Sequence, residues 1–112
     1  MTTEIILKGL PKISLNEWYA GKHWTKRKTL KDKFKWIVLS QCKTVFPKTS
    51  QYIVSYEIVS KNRPIDADNT IGMTKLLTDI LFEDDKWDII TQVCLSSKKG
   101  DEDYVKVTVT TL

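Results

Sequence analysis

The chain has 112 residues, 41% of them apolar and 29% charged, and a formal net charge of +4. This is the size of one domain with enough apolar content for a core, and neither composition nor charge points to disorder. No apolar run approaches the roughly 18–20 residues of a membrane span. The first residues, MTTEIILKGLPKI, carry an early acid and do not form a signal-peptide core, so a cytoplasmic protein is expected.

In chain order, residues 4–8 read as a short strand ended by Gly9 and Pro11. Residues 12–23, polar and Gly-flanked with Trp18 and Tyr19, read as a structured loop. From about Thr25 the period lengthens: Leu30, Phe34, Ile37/Val38, Gln41/Cys42 and Val45 recur at three-to-four spacing, predicting a helix that stops at Phe46 before Pro47. Residues 51–60 place Tyr52, Val54, Tyr56 and Ile58 on one face of a strand, broken by Lys61-Asn62-Arg63-Pro64. A second helix is predicted from about Asn69 to Phe82, with Met73, Leu76/Leu77, Ile80 and Leu81 inward and Asp68 as its N-cap. Residues 88–96 and 104–110 alternate again, and Lys98-Lys99-Gly100-Asp101 between them predicts a closing β-hairpin. The order β-α-β-α-β-β predicts an α+β fold, two helices on a mostly antiparallel mixed sheet, in one domain spanning 1–112. Cys42 and Cys94 match no zinc or CxxC spacing and sit in apolar patterns, so buried reduced thiols are expected.

Charge is unevenly distributed. Residues 1–65 hold 13 Lys and Arg against 4 Asp and Glu, whereas residues 66–88 hold 2 against 7. A basic body attracts polyanions, and an acidic island within it repels them unless a cation neutralises it. The island contains Asp66-Ala67-Asp68-Asn69 and, sixteen residues beyond Asp68, Asp84-Asp85. An EF-hand loop starting at Asp66 would need Gly and Glu where Ile71 and Leu77 stand, so that reading fails. A plainer reading is an N-cap followed by a solvated acidic face. Fourteen helical residues span about 21 Å, so convergence of Asp66 and Asp68 with the Asp84-Asp85 pair requires the chain to double back after the helix. Asp68, Lys75 and Asp79 fall within about 20–40° of one another around an ideal helix, which would place Lys75 on the side of the cap carboxylate. The plainer role for Lys75 is a surface pair with Asp79.

Asp66-Ala67-Asp68-Asn69-Thr70 resembles the DxDxT signature of haloacid-dehalogenase phosphatases. Here, though, it follows Asn62-Arg63-Pro64-Ile65 in place of the apolar strand of a larger doubly wound sheet. The broader pattern is DxDN, a helix with Lys75 and Asp79 four apart, then a DD pair ahead of a strand. Together with Ser14-Leu15-Asn16-Glu17-Trp18-Tyr19 and His23-Trp24-Thr25-Lys26-Arg27-Lys28, it resembles the RusA family of Holliday-junction resolvases over most of the chain. The resemblance implies a RusA-like fold and a homodimeric, Mg²⁺-dependent endonuclease of a bacterial or phage-infected cell. Such an enzyme nicks paired strands of four-way DNA junctions in recombination and repair. It implies Asp66, Asp68 and Asp85 as metal-binding catalytic carboxylates, Asp84 as a lesser candidate, and Lys75 as the catalytic lysine. Mn²⁺ is expected to be able to substitute, and no organic cofactor or membrane partner is expected. The residues suit this chemistry, since Mg²⁺ takes carboxylate, water and phosphate oxygens, and His23 is the only histidine.

The basic segment 22–35 carries Lys22, Lys26, Arg27, Lys28, Lys31, Lys33 and Lys35 against Asp32 alone. Cations are disfavoured at a helix start, so local stability does not explain Lys26-Arg27-Lys28. With Lys22 they are the candidates for DNA-backbone contact, which positions nucleic acid without reading its sequence. Phe34 and Trp36, at helical spacing, are expected in the core. The alternative from another class is a non-catalytic nucleic-acid-binding module whose acidic island is structural.

Overall fold

The computed structural model describes residues 1–12 and 24–112, and the expected loop with its aromatic motif lies almost wholly outside the described residues. The elements are β1 (Thr2–Leu7), α1 (Trp24–Gln41), β2 (Tyr52–Ser60), a 3-10 turn (Ala67–Thr70), α2 (Ile71–Leu81), β3 (Ile90–Lys99) and β4 (Tyr104–Thr111). This is an α+β arrangement with two helices and a four-stranded mixed sheet, as the periodicities predict. No described helix is long and apolar enough to cross a membrane.

The sheet order is β1-β4-β2-β3, with β4 antiparallel to both β1 and β2 and β3 parallel to β2. The predicted β3–β4 hairpin is therefore not formed, because β2 lies between the two strands. Alternation along each strand is the same whether two strands are neighbours or separated by a third. What separates them here is the buried pairing of β2 with β4, Val54 on Val109, Tyr56 on Val107 and Ile58 on Val105. Gly100 closes against the end of β2, its N–H donating to the Ser60 carbonyl. A Cβ built at Gly100 would lie 2.5 Å from Cγ1 of the buried, stiff Val59, so glycine is required there for close approach. The Asp103 carboxylate fastens the same corner. It accepts from the Lys61 N–H at 2.7 Å and pairs with Lys12 at 3.1 Å, contacts that hold it below its ordinary pKa.

Both helices cover one face of the sheet. Phe34 and Val38 of α1 and Met73, Leu76, Leu77 and Leu81 of α2 form one buried cluster with Leu7, Val54, Tyr56, Ile58, Val105, Val107 and Val109. Each such side chain contributes about 1.5–3 kcal/mol through burial. Two expectations about the core are corrected. Trp36 is 75% exposed, because α1 turns Leu30, Phe34 and Val38 inward and leaves position 36 on the outer side. Cys94 is exposed and Cys42 only half-buried, because β3 is an edge strand and α1 stops just before Cys42.

The end of α1 at Gln41, five residues short of the predicted stop, has a tertiary cause. The Gln41 side chain bonds both the N–H and the carbonyl of Lys8, and the chain then extends so that Phe46 reaches Phe82. There Phe46 and Phe82 form a parallel bridge through Phe46 N–H to the Leu81 carbonyl (2.8 Å) and Glu83 N–H to the Phe46 carbonyl (2.9 Å). Their rings stack at 5.1 Å, and Tyr52 meets both edge-on at 5.4 and 5.6 Å.

Candidate metal and nucleic-acid site

The βαβ crossover from β2 to β3 carries every residue of the acidic island. Parallel neighbours require a helix running back along the sheet, so Asp66 and Asp68 stand where β2 ends and Asp84 and Asp85 where β3 begins. The entry to α2 differs from the expected cap. Residues 67–70 wind as a 3-10 turn held by the Asn69 N–H to the Asp66 carbonyl and by the Thr70 hydroxyl to the Ala67 carbonyl. Neither Asp66 at the turn nor Thr70 at the helix makes a side-chain cap. Asp68 lies inside the turn, so it is not the N-cap, and both carboxylates are exposed and without an ion pair among the described residues. The turn packs against β3.

At the other end, Phe82 takes an extended conformation and the chain doubles back. Asp84 folds over the following residue, accepting from the Lys86 N–H at 3.2 Å and lying 3.7 Å from the Lys86 ammonium. Asp85 has no such partner among the described residues. It lines a cavity of about 300 Å³ between α2 and the edge strand, with Ile71, Thr74, Lys75 and Thr78 on the helix side and Val93 and Leu95 as its floor. Lys75 and Asp85 thus share one groove, and its Ile71 end adjoins the acidic turn.

Asp79 lies elsewhere. It lines a second trough of about 440 Å³ with Lys31, Asp32 and Lys35 of α1, and it makes no ion pair with Lys75. The expected common side for Asp68, Lys75 and Asp79 fails because the 3-10 turn breaks the 3.6-residue phase and because Lys75 and Asp79 open onto different grooves. Among the described residues no three His, Cys, Asp or Glu side chains form a group able to hold a metal ion. The reason is topological: α2 has 11 residues, a span of about 16 Å, and the crossover puts the carboxylates at its two ends. The donors are of the hard oxygen type that Mg²⁺ takes, but one chain does not gather all three.

Thr74, Thr78, Val93 and Leu95 enter the groove without having been singled out from sequence. Their helix and strand spacings each predicted a face, but not that two faces would border one space. Beneath the groove the Tyr56 hydroxyl meets Thr78 Oγ1 at 2.6 Å, and Thr78 donates to the Thr74 carbonyl at 2.7 Å. Burial pushes the Tyr56 phenol well above its ordinary value; the Thr78 hydrogen bond opposes this and the Asp79 charge adds to it. Folding therefore favours the protonated phenol. Its contribution is complete below the unfolded value of about 10 and is lost as pH rises beyond it. Tyr56→Phe is expected to flatten the fall of unfolding free energy above about pH 10, as measured by urea titrations at a series of alkaline pH values.

No protein-family model matches the chain. No curated protein matches it either.

On the basic side, Lys28, Lys31, Lys33 and Lys35 are exposed on α1 and make no ion pair among the described residues. Lys26 and Arg27 belong to the first turn of the same helix, and Lys22 lies outside the described residues. Lys31 and Lys35 border the α1–α2 trough, so a cationic row lies across α2 from the Lys75–Asp85 groove.

Proposed function

We propose that the protein is a Mg²⁺-dependent, structure-selective DNA endonuclease of RusA type that resolves four-way junctions as a homodimer. The observation that carries this reading is the groove shared by Lys75 and Asp85. The carboxylate is free of the turn that occupies Asp84, and the lysine is free of the Asp79 pair that would explain it structurally. A cation beside a carboxylate that makes no ion pair among the described residues, next to an acidic turn, suits a phosphodiester held with a hard metal ion. In this reading Lys75 neutralises charge on the scissile phosphate, while Asp66, Asp68 and Asp85 supply metal ligands. Lys28 and its α1 neighbours, with Lys22, Lys26 and Arg27, hold the DNA backbone. Mn²⁺ would serve in place of Mg²⁺.

The separation of the carboxylates within one chain favours a second reading, a non-catalytic nucleic-acid-binding module with a structural acidic island. The test is a gel assay on synthetic four-way junctions with Mg²⁺, with Mn²⁺ and with chelator. Paired nicks that need metal are expected, and Asp68→Asn is expected to bind the junction without cutting it. Binding with no metal-dependent product from the wild-type protein would establish the second reading instead.

A further inference from the structure

Tryptophan on a helix ordinarily packs, and Trp36 does not: it is 75% exposed, whereas Phe34 and Val38, two residues to either side, are fully buried. Two positions turn a helix through about 200°, so Trp36 stands on the crest of α1, facing away from the sheet. Lysines flank that crest. Lys33 lies about 60° round the axis to one side, and Lys28 and Lys35 about 80–100° to the other. All three are exposed and make no ion pair among the described residues. Beside the ring opens a cavity of about 280 Å³, lined by Asp32, Lys35, Trp36 and Leu39. Asp32, Lys35 and Leu39 also border the α1–α2 trough, so the cavity continues toward Val45 and Ile80. Trp87 makes the contrast: it is 86% exposed but stands among Asp84, Asp85 and Asp88, a setting that repels polyanions when no cation is bound.

We propose that the crest of α1 binds single-stranded DNA, with one unpaired base stacked on the Trp36 indole and the phosphates on either side of it held by Lys33 and Lys35. Each component has its physical reason. Every base has an apolar π-face, so an exposed indole takes any of them without reading sequence. The two ammonium groups stand on opposite sides of the ring, as the phosphates on the 5′ and 3′ sides of one nucleotide do. Asp32 repels phosphate from the cavity beside the ring, so the base edge enters there, and the carboxylate accepts from its N–H groups. Leu39 supplies an apolar wall. In a duplex the faces of each base are covered by its neighbours, so Trp36 has nothing to stack on and the lysines alone make contact. The crest therefore distinguishes unpaired from paired DNA. The inference rests on α1 being a nucleic-acid surface, which the nuclease and the non-catalytic readings share, and it does not depend on cutting.

Binding is measured in chelator by fluorescence anisotropy, with a labelled oligothymidylate of about fifteen nucleotides, long enough to span one site, and with a duplex of the same length. Trp36→Ala should weaken binding of the single strand about tenfold and change binding of the duplex less than about twofold. Trp36→Phe keeps a ring and should recover most of the lost affinity. Trp87→Ala should match the wild type. The double variant Lys33→Ala, Lys35→Ala should weaken both ligands and flatten the salt dependence of each, because fewer counterions are released. Position 36 is exposed, so the far-UV spectrum and Tm of its variants should be those of the wild type. Unchanged single-strand affinity in Trp36→Ala, an equal loss on strand and duplex, or an equal loss in Trp87→Ala each overturns the stacking. An unchanged salt dependence in the lysine variant overturns the placement of the phosphates. A wild-type protein that binds the duplex but not the single strand overturns the proposal and leaves α1 a backbone-binding surface. Failure to bind either ligand refutes both.

Discussion

In the proposed endonuclease, Asp85→Asn is expected to bind a four-way junction as the wild type does and to lose at least about a hundredfold in cutting rate, whereas Asp84→Asn is expected to keep most of its activity. The two residues are adjacent and chemically identical, so only the family resemblance, and no local property of the sequence, separates them. Their surroundings do. The Asp84 carboxylate is engaged by the Lys86 N–H and lies near the Lys86 ammonium, the work of a residue that shapes a turn. Asp85 faces the groove that contains Lys75. Asparagine keeps the size and one acceptor oxygen of aspartate but removes the charge a hard cation needs, so binding through the distant lysines should be spared. Single-turnover cleavage and filter binding on the same junction separate the two effects. Equal loss of cutting in both variants would remove the distinction drawn between these neighbours.

The largest expected effect on stability is at Phe82. Phe82→Ala should cost about 3–5 kcal/mol, the usual loss on truncating a buried aromatic residue. Phe82 is 4% exposed, stacks on Phe46 and meets Tyr52 edge-on, so the substitution removes two of three ring contacts, each worth about 0.5–1.5 kcal/mol beyond burial. It also loosens the bridge that ties the end of α1 to the turn before Asp84 and Asp85. Urea denaturation should register the loss directly, and Tm should fall by more than about 12 °C. A change smaller than about 1 kcal/mol would mean that Tyr52 and Phe46 repack without it. Under the proposed function, the surviving fold at low temperature should still bind DNA through α1, since Lys28, Lys31, Lys33 and Lys35 are exposed on that helix.

Much of the architecture was legible because it depends on period. Alternation at Tyr52, Val54, Tyr56 and Ile58 and at Val105, Val107 and Val109 places each residue on the buried side, as the strands require. The three-to-four spacing of Met73, Leu76, Leu77 and Leu81 did the same for α2. Phe34 followed the rule and Trp36 did not: two residues are 200° apart around a helix, so both cannot face the core. The candidate site was legible as composition, an acidic island in a basic chain, with Lys75 and Asp85 among its named residues. Its assembly was not legible. A cap at Asp68 was the natural local inference, yet the backbone entered the helix through a 3-10 turn, which left the side chain exposed and shifted the angular phase behind Lys75.

By itself the sequence determined which residues alternate, which recur at helical spacing and where charge accumulates, because these depend on chain-local geometry and on transfer of side chains from water. Only the tertiary structure decided that β2 separates β3 from β4, that α1 releases its last turn so Phe46 can reach Phe82, and that α2 holds the carboxylates at its two ends. Strand order and helix termination are settled by which surfaces bury most apolar area together, a comparison among distant segments that no local pattern contains.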